Sequence, residues 1–271
     1  NLIAASESDP DNIDRKLDLA EFYLGTGDHK KAMDLLAKLP SDEAGGLRVS
    51  RLMVVGLLAS GKSDEAQLKI RELVSRNQAD PEVLNFAGSY YLAVGDNNSA
   101  RSSFEAGIAT SPDNVSLLLS LAGLQAREGE HAESKLLFDQ VLEIDKGNLV
   151  ASMAAAALAM EQGELDKAKH YLNSSIKVYP NAPELKVSLA NILLQEGNKD
   201  DALDLAREAA NLGVRNPRLN GVLGNVMLAT GALEEALVQF EKSVADSPES
   251  PQAQFNLASD CHGNRFLPHP A

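Results

Sequence analysis

The chain has 271 residues, of which 44% are hydrophobic and only 4% aromatic, and its formal net charge is -14. This composition excludes a disordered chain, because the apolar content is high enough to offset the entropy lost on folding. The negative charge argues against binding to nucleic-acid phosphates or anionic membrane surfaces. It leaves two interpretations open, solubility of an elongated protein or an acidic groove for a basic partner.

The sequence carries no recognisable catalytic or metal-binding motif. Its single cysteine, Cys261, excludes a disulfide framework and a paired-cysteine metal site. His29 and His131 occupy equivalent positions and are predicted to be exposed turn residues, not metal ligands. Phosphate loops and the common hydrolase, kinase and metalloprotease signatures are missing. No run of about 18 apolar residues occurs, so direct membrane insertion is not expected. We predict a non-enzyme without cofactor or metal.

A repeat with a period of 34 residues organises the chain. The period is set by seven glycines: Gly27, Gly61, Gly95, Gly129, Gly163, Gly197 and Gly231. Small residues recur five positions after each glycine and, apart from Val54, seven positions before it. A large apolar residue usually follows nine positions after the glycine. This pattern indicates stacked pairs of helices that are joined at the glycine, where the first helix of each pair ends.

These positions resemble the tetratricopeptide repeat, which has a small residue at position 8, Gly at 15, Ala at 20, a large residue at 24 and Pro near 32. The resemblance implies an all-α fold, a right-handed α-solenoid of helix-turn-helix units. It also implies a protein or peptide as partner, and the negative charge argues against nucleic acid. The sequence departs from the family at position 4, where a large aromatic residue is usual. That position holds Lys16, Ser50, Leu84, Leu118, Ser152, Lys186 and Asn220.

Taken in chain order, residues 1–12 are predicted to be the second helix of a truncated repeat. Seven tandem units then fill residues 13–250, with starts at Ile13, Leu47, Pro81, Val115, Leu149, Pro183 and Pro217. The second helix of the first unit is expected to end near Leu39, because Pro40 follows. Residues 251–258 begin an eighth unit. Residues 259–271 are predicted to be irregular, either as a tail foreign to the protein or as a genuine extension.

By the same resemblance, the first helices line an extended concave groove that suits a peptide or a helix of a partner protein. The candidate binding residues on these helices are Asn85, Met153, Met160, Val187, Asn191, Leu194 and Asn225. In the last units the same face carries Arg218, Gln252 and Asn256.

Two features of this face have alternative interpretations. Asn191 and Asn225 hold the same position in adjacent units, and their amides can both donate to and accept from a peptide backbone. They can equally be polar surface or bonds between helices. Met153 and Met160 form a soft patch that adapts to varied apolar partners, or they pack between units.

The predicted function is that of a non-catalytic scaffold for protein-protein interaction. The Ala- and Leu-rich, Trp-free units are similar in general character to large bacterial tetratricopeptide lipoproteins that accompany PEP-CTERM sorting and exopolysaccharide export. That likeness implies a periplasmic or outer-membrane-attached location in preference to the cytoplasm. The alternative is a regulatory or targeting arm of a larger enzyme whose catalytic domain lies outside these residues.

Overall fold

The computed structural model describes residues 12–39, 46–213 and 215–264, with side chains as far as Leu257. Every regular element within these ranges is an α-helix, which confirms the predicted all-α fold. The chain divides into two compact parts, Asn1–Leu124 and Gln125–Ala271. The predicted second helix over residues 1–12 lies outside the described residues, apart from Asn12.

The N-terminal part contains the helices of the first three units and most of the next first helix. In order they are α1 Ile13–Gly25, α2 His29–Leu36, α3 Gly46–Ala59, α4 Ser63–Arg76, α5 Pro81–Ala93, α6 Asn97–Thr110 and α7 Val115–Glu128. The helix α2 ends three residues before the predicted Leu39, and a turn carries the chain to Leu39, which is still buried.

The C-terminal part contains the remaining helices. They are α8 His131–Ile144, α9 Leu149–Glu161, α10 Leu165–Val178, α11 Pro183–Gln195, α12 Lys199–Asn211, α13 Pro217–Thr230, α14 Leu233–Asp246 and α15 Pro251–Asn264. The prediction of an irregular chain was wrong for residues 259–264, because helix α15 continues through them. No proline interrupts that stretch, so the helical backbone can continue. Residues 265–271 lie outside the described part.

Most first helices begin with a side-chain cap. A side-chain oxygen accepts a hydrogen bond from a first-turn amide at 2.8–3.1 Å in five cases: Asn12, Asp80, Asn114, Asn148 and Asn216. Four of the first helices, α5, α11, α13 and α15, start with proline, whose missing amide needs no partner there. These signals fix where each unit starts.

The seven repeat glycines all end first helices in the same way. Their φ angles are positive, between +73° at Gly61 and +92° at Gly231. The amide after each glycine donates to a carbonyl five residues earlier, at 2.8–2.9 Å, which is the Schellman arrangement. This geometry turns the chain so that the second helix packs against the first.

Packing between the two helices depends on three repeat positions, 8, 20 and 24. The small residue at position 20 is fully buried in all seven units: Ala32, Ala66, Ala100, Ser134, Ala168, Ala202 and Ala236. At position 8, a Cβ added to Gly88 or Gly224 would overlap the ring of Phe104 or Phe240 at position 24. Glycine at position 8 therefore makes room for phenylalanine at position 24.

First helices also contact the first helices of neighbouring units. Within the N-terminal part α1 contacts α3, and within the C-terminal part α9 contacts α11, α11 contacts α13, and α13 contacts α15. This stacking places the side chains of successive first helices side by side. Within the described ranges, no helix is both long and apolar enough to cross a membrane.

Candidate functional site

A cleft of ≈ 620 Å³ lies between α13 and α15 in the C-terminal part. Its lining joins residues of both first helices with the end of α14 and the loop that follows. Arg218 and Asn225 lie on the α13 side, and Gln252 and Asn256 lie on the α15 side. The structure therefore brings together polar residues that the sequence placed on one face of the last two units.

The floor of the cleft is shaped by Gly221. A Cβ at this position would stand 3.4 Å from the side-chain nitrogen of Asn256 and 3.7 Å from the hydroxyl of Ser243. That hydroxyl donates to the Pro217 carbonyl at 2.7 Å and ties α14 to the start of α13. Both Cβ distances are ordinary van der Waals contacts, so a Cβ at this position would line the cleft without displacing either side chain.

The polar groups of the cleft are only partly satisfied by one another. The Gln252 amide donates to the Asn256 side-chain oxygen at 2.8 Å. That bond leaves the Gln252 oxygen and the Asn256 amide protons available to a ligand. In the part of the chain that the structure describes, the exposed Asn225 amide has no hydrogen-bond partner.

Arg218 gives the cleft its charge. Its side chain is exposed, and no carboxylate among the described residues lies within ion-pair distance. Arg207, in contrast, donates to both oxygens of Glu235 at 2.6 and 2.9 Å. The cleft lining contains no Asp or Glu. This cleft is therefore cationic and does not match the acidic groove that the net charge left open.

The two asparagines at position 9 differ in exposure. Asn191 on α11 is half-buried, and Asn225 on α13 is exposed. Neither amide is hydrogen-bonded within the described ranges, so a bond between helices does not account for them. Both amides keep their capacity to donate and accept.

The other predicted residues are more deeply packed. Met153 and Met160 are half-buried against the core of α9, α10 and α11, and Leu194 packs against the neighbouring core of α11 to α14. Val187 is only 3% exposed and belongs to that second core, so it does not present a surface to a ligand. Its burial follows from the contact of α11 with α13.

Asn85 lies on α5 in the N-terminal part and is described there by itself. Its side-chain oxygen accepts a hydrogen bond from the Ser120 hydroxyl at 3.0 Å. The side-chain oxygen of Asn85 thus takes part in a hydrogen bond between two first helices. The residue is half-buried and offers a ligand only the remaining donor.

The histidines are placed differently from the prediction. His29 and His131 start α2 and α8, are half-buried rather than exposed, and each has a buried Nδ1 without a partner among the described residues. They follow the tight turn and pack against it, which the sequence spacing does not reveal. Within the described part, no group of three or more His, Cys, Asp or Glu side chains is placed to hold a metal ion.

Comparison with known families matches three tetratricopeptide models. Two described as tetratricopeptide repeat match residues 1–55 and 153–220, and one described as protein kinase G tetratricopeptide repeat matches residues 48–180. Together these matches extend over residues 1–220. Among curated protein sequences, none matches the chain.

Solved structures share the fold at low sequence identity. Yeast Tom70 is 17% identical with a TM-score of 0.73, over 99% of this chain and 59% of the Tom70 chain. A tetratricopeptide repeat protein from Parabacteroides merdae is 17% identical with a TM-score of 0.63, over 92% and 98% of the two chains. The pilF protein of Pseudomonas aeruginosa is 14% identical with a TM-score of 0.57, over 78% and 96%. From its period, its Schellman turns and these matches, we conclude that the chain is built from tetratricopeptide repeats.

Proposed function

We propose that this chain is a non-catalytic scaffold that binds an extended segment of a partner protein in the cleft between α13 and α15. Tetratricopeptide repeats are generally protein-interaction modules, which supports the class of function. The observation that carries the specific site is the set of unsatisfied polar groups on Arg218, Asn225, Gln252 and Asn256, gathered in one cleft.

The chemistry of the cleft favours a peptide backbone as ligand. An extended segment presents one amide donor and one carbonyl acceptor at nearly every residue, and isolated side-chain amides can match both. Because these contacts involve only backbone groups, they do not require a particular sequence. Arg218 adds a preference for a segment with an acidic side chain, since a guanidinium binds a carboxylate through two hydrogen bonds.

Selection of displayed random peptides on the full chain tests this proposal. We expect the enriched peptides to contain an acidic residue, and their synthetic forms to bind at least tenfold more weakly to an Asn225→Ala, Arg218→Gln variant. Such a loss agrees with the typical contribution of about 1–3 kcal/mol from a charge-assisted hydrogen bond. The matched control is Asn173→Ala, an exposed asparagine on the second helix α10, which leaves the affinity unchanged.

Two outcomes would contradict the proposed site. Equal affinity for the wild-type chain and the double variant moves the contact elsewhere on the array. Failure to enrich any peptide over several rounds argues against peptide binding by this part of the protein.

The proposal also places the scaffold in a bacterial envelope. The proposed location is supported by the general character of the Trp-free, Ala- and Leu-rich units, which are similar to those of large lipoprotein arrays. Fractionation of the source cells tests it. Recovery with periplasmic or outer-membrane markers is expected, and recovery in the cytosolic fraction would overturn it.

A further inference from the structure

A second cavity, of ≈ 290 Å³, lies where α12, α13 and α14 meet. Its apolar side is formed by Ala209, Leu219 and Leu223, each at most 7% exposed. Asn220, at position 4 of the seventh unit, faces into it. The cavity shares no lining residue with the cleft between α13 and α15.

Asn220 is out of place for a residue that serves only packing. It is 5% exposed, and its side chain has no hydrogen-bond partner in the described part of the chain. Its side-chain oxygen and nitrogen still reach solvent through the cavity, so the amide can bond to water or to a ligand there. The remaining hydrogen-bonding capacity of Asn220 is directed to whatever fills the cavity.

Other units show how position 4 can be filled without an unpaired amide. In units three and four the residue is leucine, and Leu84 and Leu118 are 3% and 0% exposed. In unit five Ser152 is buried but shares a hydrogen bond with Ser175. The seventh unit therefore carries an amide without a protein partner among the described residues, at a position where leucine fits elsewhere in the same array.

The charges around the cavity define the ligand further. Arg215 and Lys242 line it, and among the described residues neither has a carboxylate within ion-pair distance. One carboxylate, Asp246, lines it as well. Two cations against one carboxylate leave a positive balance, so an anionic group is favoured.

We propose that this cavity binds a small organic carboxylate with an apolar body. The carboxylate pairs with Arg215 and Lys242, the apolar body packs against Leu219 and Leu223, and Asn220 hydrogen-bonds a polar atom of the ligand. The volume lies at the lower end of the range for small-molecule pockets, which limits the ligand to a few carbon atoms beyond its carboxylate. A free acid and the last residue of a peptide share this chemistry.

Calorimetric titration of the full chain with four probes tests the site. Isovalerate represents a free acid and N-acetyl-leucine represents a chain end, while isovaleramide and N-acetyl-leucinamide are their neutral counterparts. We expect at least one acid to bind saturably and its amide to bind at least tenfold more weakly. Tighter binding of isovalerate assigns a free acid, and tighter binding of N-acetyl-leucine assigns a chain end.

The decisive variant is Asn220→Leu, which introduces the residue of units three and four. We expect it to abolish acid binding without lowering the melting temperature, since buried leucine fills the same position in those two units. Arg215→Gln with Lys242→Gln weakens binding at least tenfold without a change in fold. Asn225→Ala, in the separate peptide cleft, leaves acid binding unchanged.

Three results would overturn the inference. They are unchanged acid binding in Asn220→Leu, a lower melting temperature in that variant, and no saturable binding of either acid to the wild-type chain. Because the acid site and the peptide cleft have separate variants, each can fail while the other stands.

Discussion

Units five and seven both bury a polar side chain at position 4, but among the described residues only that of unit five has a protein hydrogen-bond partner. Ser152 of unit five is fully buried and shares a hydrogen bond with Ser175, whose hydroxyl also lies 3.2 Å from the Lys146 carbonyl. Asn220 of unit seven is nearly as buried and has no such partner within the described residues. Burial of a polar group is thus not enough to mark a site. A missing partner beside a cavity is the informative combination.

The same two units also differ in side-chain size at positions 8 and 24, where a smaller residue at one position accompanies a larger residue at the other. Unit five pairs Ala156 with Leu172, and unit seven pairs Gly224 with Phe240. The smaller residue on one helix accompanies the larger ring on the other, so both interfaces are filled. In unit seven the small residue at position 8 thus makes up for the large ring at position 24. Asn220 at position 4 has no matching partner among the described residues.

The largest expected effect concerns position 20, where the two units are alike. Ala168 and Ala236 are both fully buried, so a leucine at either site forces the paired helices apart. We expect Ala168→Leu and Ala236→Leu each to lower the free energy of unfolding by roughly 2–3 kcal/mol in urea titrations. Exposed Lys199→Leu is the control and changes it by less than about 0.5 kcal/mol. A difference between the two alanine variants would show that the interfaces are not equivalent.

The next effect concerns the compensated pair. Gly224→Ala places a Cβ against the ring of Phe240, and we expect a net loss of about 1–2 kcal/mol, because better helix propensity offsets part of the overpacking. Adding Phe240→Leu recreates the pair of unit five and recovers part of that loss. Additive losses in the double variant would mean that the two positions do not share one volume.

A smaller effect separates the two polar residues. We expect Ser152→Ala to cost about 1 kcal/mol, because a satisfied buried hydrogen bond is removed. Asn220→Ala removes no hydrogen bond and should change stability less than Ser152→Ala does. Thermal unfolding of both variants checks this order. The reverse order would indicate that Asn220 has a structural role.

The smallest effect concerns the pH dependence of paired and unpaired cations near the seventh unit. The hydrogen bond from Arg207 holds the pKa of Glu235 below its usual value. Because the folded-state pKa is lowered, this pair stabilises the protein above the pKa of an unfolded glutamate. The stabilisation is lost as the pH falls through the folded value.

Melting curves across the acid range test this dependence. Arg207→Gln should lower the melting temperature slightly at pH 7 and by progressively less as the pH falls into the acid range. Arg215→Gln, which removes an unpaired cation, should show no such dependence. Parallel curves for the two variants would contradict the distinction between paired and unpaired cations.

Much of the fold is predictable because the repeat forces each local signal to recur. The positive φ of Gly163 and the cap at Asn148 each have counterparts in other units, so chance matches are suppressed. The site is less predictable. Val187 was assigned to the groove from its repeat position, but its burial depends on how α13 packs against α11.

The cavity at Asn220 shows the same limit. The departure from the family pattern at position 4 was visible in the sequence. Whether a polar residue there finds a partner depends on side chains from three helices, and the equivalent Ser152 does find one. Contacts between distant residues, not local pattern, decide between a satisfied core residue and a site.

The seven turn glycines are selected by backbone conformation and not by lack of space. At Gly163 a Cβ would meet no heavy atom within 4 Å, so lack of room does not explain the residue. Its φ of +75° does, because that dihedral angle disfavours amino acids of the L configuration. The same holds at the other six turns, none of which crowds a Cβ. Once every 34 residues, the backbone adopts a positive φ that selects glycine because glycine is achiral, and not merely because it is small.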